Sequence, residues 1–114
     1  MALKINQSAT FLWPVTVHLP TDGGKFDKQT FDVEFARLKV SEADAMVAGI
    51  VSGATTPLEG YRQLVKGWRG VLADGQEVPF SDDTLQQVLE IPTVGPAILE
   101  AFKEAISGAA RAKN

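Results

Sequence analysis

The feature that most constrains this chain is a change of hydrophobic period at Ser41. Before it, apolar and polar residues alternate; after it, apolar residues recur at helical spacing. From Thr10 to Leu19, Trp13, Val15, Val17 and Leu19 point one way and Thr16 and His18 the other. That is the period of a strand with one buried face. Pro14 brings no amide donor, which assigns the strand to a sheet edge or gives it an irregular start. Pro20-Thr21-Asp22-Gly23-Gly24-Lys25 is a dense turn signal. Beyond it, Phe31, Val33 and Phe35 alternate with Thr30, Asp32 and Glu34. Two alternating runs about such a turn predict an antiparallel hairpin, with its register left open.

Four helical segments follow. Ser41-Glu42-Ala43-Asp44 reads as a helix start, with a hydroxyl for an orphan amide and acids at the positive end of the dipole. Met46, Val47, Ile50 and Val51 form its stripe, and Gly53 its stop. Thr56-Pro57-Leu58-Glu59 starts a second helix as cap, first-turn proline and capping box, which Gly67 is expected to end. Asp74-Gly75 between apolar flanks predicts a small hairpin or tight loop. Ser81-Asp82-Asp83 starts a third helix, carrying Leu85, Val88 and Leu89. The turn from Ile91 to Pro96 leads to a last helix, with Ile98, Ala101, Phe102, Ala105, Ile106 and Ala109 in one stripe. Strands followed by helices predict an α+β fold: an N-terminal antiparallel hairpin or small sheet with about four helices packed on one face. The 114 residues fit one domain, with 1–9 and 108–114 expected to fray.

Composition narrows the chemistry. The net charge of −3 opposes binding to nucleic acid backbones or anionic lipid. With no cysteine, disulfides, thiolate metal sites and cysteine nucleophiles are excluded. No run approaches the ~20 apolar residues of a membrane span, and the first residues lack the apolar core of a signal peptide. His18 is the sole histidine. It stands on the polar face of its strand with no nucleophile elbow elsewhere, so it reads as a surface residue rather than a base. Asp82 and Asp83 are adjacent on a helix and do not face each other, so they read as dipole compensation. The expectation is a non-catalytic protein without metal or cofactor.

One motif invites a nucleic-acid reading. Leu89-Glu90-Ile91-Pro92-Thr93-Val94-Gly95-Pro96, within 85–106, resembles a helix-hairpin-helix, whose second helix holds a phosphate on its first amides. Here Thr93 replaces the first glycine, Lys103 is the first cation downstream, and Asp82, Asp83, Glu90 and Glu100 are acidic. The basic footprint of a nucleic-acid module is missing. The competing reading is a compact turn between packed helices.

The aromatic residues Trp13, Phe31, Phe35, Tyr61, Trp68, Phe80 and Phe102 are assigned to the core. The last helix is alanine-rich, and its apolar residues suit either core packing or a partner groove. Trp68, Ile98, Phe102 and Ile106 are the candidate partner-binding residues.

Taken together, these residues resemble the tail assembly chaperones of siphophages and prophages. Thr30-Phe31 with Phe35 and Leu38, after the Leu19-Pro20 and Asp22-Gly23 turn, is similar to the family's second strand. Leu64-Val65-Lys66-Gly67-Trp68 is similar to its central helix end. Asp74-Gly75 with Val78-Pro79-Phe80-Ser81 is similar to the loop that follows, and Leu85 to Pro92 to the third helix. Gly67-Trp68 and Pro79-Phe80-Ser81 are the most specific parts, within a likeness spanning about Thr10 to Ile106. The resemblance implies binding of the tape measure and tail tube proteins during tail assembly, in the host cytoplasm and without retention in the mature virion. Self-association is compatible with it. It carries over no catalytic residue. Such chaperones are often also made in a longer, frameshifted form, and Ala112-Lys113-Asn114 is compatible with a slippery codon run. A structural virion subunit is the remaining alternative.

Overall fold

The structure, a computed structural model, describes residues 2–108. Two 12-residue strands, β1 (Thr10–Thr21) and β2 (Lys25–Ala36), pair antiparallel along their whole length. The turn between them, Asp22-Gly23-Gly24, places both glycines at positive φ (81° and 75°), a conformation a Cβ would oppose. Register is set by burial. Phe11, Trp13, Val15 and Val17 stand opposite Phe35, Val33, Phe31 and Gln29, so a one-residue slip would turn the apolar set to solvent. β1 lies at an edge of the three-stranded sheet, where Pro14 is tolerated.

The third strand departs from expectation. Gly67 does not end a helix: α2 (Pro57–Leu64) stops at Leu64 and β3 (Val65–Arg69) begins at the next residue. β3 pairs antiparallel with β2, matching Val33 with Trp68 and Phe35 with Val65 across a bulge at Glu34/Phe35. The bulge resets the alternation, so both Val65 and Trp68 reach the inner face. At Gly67 a Cβ would come within 2.7 Å of the Glu34 carboxylate, and the glycine lets that side chain lie across β3.

The helices cover one face of the sheet. α1 (Val40–Ser52) begins one residue before the serine expected to cap it, with the Lys39 amide donating to the Glu42 carboxylate at 3.0 Å. Gly53 ends α1 in the left-handed region (φ 78°). Thr56 Oγ1 accepts the Glu59 amide at the start of α2, as its sequence predicts, although no return bond from Glu59 completes a capping box. After β3 come β4 (Leu72–Ala73) and β5 (Gln76–Glu77), a two-stranded hairpin whose turn holds Asp74 and Gly75 at positive φ. α3 (Asp82–Leu89) is capped reciprocally: Ser81 Oγ accepts the Thr84 amide and Thr84 Oγ1 accepts the Ser81 amide. α4 (Val94–Ser107) runs beside β1, and its Phe102 ring meets Phe35 at 5.4 Å.

The core is continuous from sheet to helices. Val15, Val33, Phe35, Leu64, Val65, Leu85, Ile98 and Phe102 are its most completely buried large side chains. Each contributes about 1.5–3 kcal/mol of burial. Trp13, Phe31, Trp68 and Phe80 pack around it half-buried, and Tyr61 lies inside it. Two close approaches set the helix packing. Gly60 of α2 lies against Ile50 of α1, and Gly95 of α4 lies against the Tyr61 hydroxyl. An exposed ion pair, Arg62–Asp82 at 2.9 Å, links α2 to α3 and adds well under 1 kcal/mol.

Candidate protein-binding surface

The residues singled out in the sequence separate into two groups. Ile98 and Phe102 are 1% and 0% exposed and belong to the core, so no partner touches them without opening the fold. Trp68 is half-buried and engaged internally. Its indole N–H donates to the Val78 carbonyl at 2.8 Å, and its ring meets Phe80 edge-on at 5.0 Å. Ile106 alone projects outward, 52% exposed. Beside the start of β1, Ile106 borders Leu12, Trp13 and Val40 on one side and Val47 and Val51 on the other. Ala109 of the same stripe lies outside the described residues.

Ile106 joins a surface that the stripe on α1 conceals. α1 carries two apolar faces. Ala43, Met46 and Ile50 turn inward. Val40 and Val51, at 78% and 72% exposed, face solvent with Val47 half-buried between them. Val51 was expected on the buried stripe. A stripe that includes 46, 47, 50 and 51 is wider than the line of contact between α1 and its neighbours, so its outer edge stays wet. On this outer side the apolar residues follow a spacing of seven and four, the seam of a helix that meets another helix. A shallow groove of about 340 Å³ runs along it, lined by Val47, Ala48, Val51 and Ile106 with Asp44 and Lys103 at the rim. A second groove, of about 540 Å³, continues from Ile106 to Val40, Leu38, Leu12 and Trp13. There Arg37 lies 4.9 Å over the Phe11 ring. Helices apolar on both sides are normally enclosed. One left open on a small domain marks a contact surface.

The candidate phosphate site has different chemistry. Thr93 adopts φ 74°, the left-handed conformation that the first glycine of a helix-hairpin-helix supplies. Its hydroxyl donates to the His18 carbonyl at 3.1 Å, tying the turn to β1. Beside it a groove of about 600 Å³ runs between α4 and the outer side of β1. Pro14, Thr16, His18, Phe26 and Pro96 form its walls, Glu100 and Glu104 project into it, and no lysine or arginine lines it. Such a groove repels a phosphodiester backbone. His18 itself is exposed, as expected of the polar face. Among the described residues no group of three or more His, Cys, Asp or Glu side chains is placed to hold a metal ion, and no helix is long and apolar enough to cross a membrane.

Among the described residues, Tyr61 is the one titratable group displaced from its ordinary value. Burial in the core, against the start of α4, pushes its phenol from 10.0 up to about 12. The ring supports the start of α4 through Gly95 and is a structural element rather than a surface one. Compared with known proteins, the chain matches no family model, no curated protein and no solved structure.

Proposed function

We propose that this protein is a tail assembly chaperone that covers an apolar helix of a partner protein, the long helical tape measure protein above all, with the tail tube protein as a second client. The observation that supports this most directly is the open seam of Val40, Val47 and Val51 on α1, joined to Ile106 of α4. A partner helix with apolar residues at i, i+3, i+4 and i+7 fits such a seam. Long chains with exposed apolar stripes aggregate unless the stripes are covered. Several weakly bound copies along one chain would gain avidity without any single tight contact. No catalytic step is assigned, and the protein acts in the host cytoplasm without joining the finished tail.

Co-expression with the tape measure product of the same gene cluster tests this. The larger protein is expected to become more soluble and to co-purify, and Val51→Lys/Ile106→Lys is expected to abolish both effects while the chain stays folded. An unchanged tape measure protein would refute the proposal. The nucleic-acid reading, favoured only by the backbone geometry at Thr93, predicts salt-sensitive DNA binding; a titration at low salt with no shift discards it. A virion subunit would be found in purified particles, where a chaperone is absent.

A further inference from the structure

Two sets of apolar side chains stand unpartnered within reach of each other. One is the groove at the head of the helical seam, about 540 Å³, where Leu12, Val40 and Ile106 are exposed beside Trp13 and Leu38. The other is the segment before β1. Residues 2–7 form no helix or strand, and Leu3 and Ile5 are 92% and 97% exposed. They alternate with Lys4 and Asn6, so this arm, when extended, carries its apolar side chains on one side and its polar ones on the other.

The arm is anchored beside the groove. The Arg37 guanidinium, 4.9 Å over the Phe11 ring, donates to the Ser8 carbonyl at 2.9 Å. The Arg37 amide donates to the Ala9 carbonyl at 2.9 Å. Phe11 and Arg37 both line the groove. Chain length then bounds the distances. Val40 lies three residues beyond Arg37, at most about 10 Å away, and Ile5 four residues before Ala9, at most about 14 Å away. The apolar recess around Val17 and Leu19 is out of range: Val17 lies eight residues along β1 from Ala9, about 27 Å. In the structure the arm bends at Ile5-Asn6, and the Gln7 side-chain amide donates to the Lys4 carbonyl at 2.6 Å. One exposed hydrogen bond restrains less than the burial of two large apolar side chains gains.

We propose that residues 2–7 fold back as a strap over the groove of their own chain, with Ile5 against Val40 and Leu12 and Leu3 toward Ile106, and that a client helix displaces them. The displacement rests on the chaperone reading; the strap itself does not. Lys4 and Asn6 then point to solvent, so neither Arg37 nor Lys103 at the rim of the seam opposes the closed position. The tether makes the strap an intramolecular competitor at high effective concentration. It shields the apolar seam while no client is bound, and it lowers the apparent client affinity by the fraction of time it is closed.

The full chain in solution is expected to show methyl NOEs from Leu3 and Ile5 to Val40, Leu12 or Ile106, unchanged on dilution. Because the native chain has no cysteine, the double variant Ile5→Cys/Val40→Cys reads the same contact as an intramolecular disulfide. It is expected to close on the order of fivefold faster than Ile5→Cys/Ser41→Cys, whose second site has almost the same tether but lies about 100° round α1. Leu3→Ser/Ile5→Ser alters only exposed positions, so folding is spared. It is expected to bind an amphipathic helical peptide, apolar at i, i+3, i+4 and i+7, about fivefold more tightly than the parent. Missing NOEs, NOEs that fade on dilution, equal disulfide rates, or a peptide bound equally by parent and arm variant would each overturn the proposal. A peptide that binds neither form refutes the client reading instead, and the NOEs and disulfide rates then decide the strap.

Discussion

Replacing Gly60 with alanine tests how α1 is held. A Cβ at position 60 would lie 2.3 Å from Ile50 Cγ1 and 2.8 Å from its Cδ1. Carbon atoms in ordinary contact sit about 3.5–4.0 Å apart, so the overlap exceeds roughly 1 Å. Ile50 cannot yield easily, because a β-branched residue in a helix has essentially one χ1 rotamer. Overpacking of this kind costs about 1–3 kcal/mol. Alanine offsets up to ~1 kcal/mol of that through its better helix propensity. With the clash at Cγ1 rather than at the side chain's tip, the net loss is set at about 2 kcal/mol, or roughly 8 °C in Tm. Chemical denaturation of the two single variants and the double variant with Ile50→Ala measures it. Removing Cγ1 and Cδ1 frees the space, so Gly60→Ala should become neutral or stabilising in the Ile50→Ala background. The change of sign is the decisive result. A Gly60→Ala protein as stable as the parent, or a loss unaltered by Ile50→Ala, would refute close packing of the two helices.

Two further measurements follow from the core. The folded state raises the Tyr61 pKa from 10.0 to about 12, so the neutral phenol's contribution is complete below pH 10 and is lost as pH rises from 10 to 12. That amounts to about 3 kcal/mol at most, and Tyr61→Phe should flatten this part of the stability profile when the two proteins are compared over the same range. Phe102→Ala should cost about 3–5 kcal/mol, whereas Ile106→Lys, one turn further along α4, should stay within about 0.5 kcal/mol of the parent; equal losses in denaturant would contradict the burial difference between them.

Much of the fold was legible because local signals agreed with the tertiary structure. Alternation placed the hairpin, the Asp22-Gly23-Gly24 turn joined it, and Thr56 and Ser81 announced α2 and α3 through bonds that the structure contains. β3 was illegible for three physical reasons. It follows α2 with no linker, its bulge interrupts the period of two, and Gly67 imitates a helix stop while serving as a place for Glu34 to cross. The candidate surface was half legible. A stripe on a helix shows that one side is apolar, but which of its residues the tertiary packing encloses is not written in the stripe. So Ile98, Phe102 and Ile106 looked equivalent in sequence, and only Ile106 reaches solvent. Val40 and Val51 carried a signal that could have been weighed. α1 has two charged residues, Glu42 and Asp44, in thirteen, and more apolar positions than one face of a helix can hide.

The direct passage from α2 into β3 has a mechanical consequence. With no slack between them, the second helix cannot tilt without dragging a strand of the sheet, so it behaves as part of the rigid frame. The first helix is different: a turn separates it from its neighbour at each end, and it leans mainly on its successor. It should be the first element to detach and exchange its amides with solvent. A helix held in this way can change its tilt while the frame beneath keeps its form.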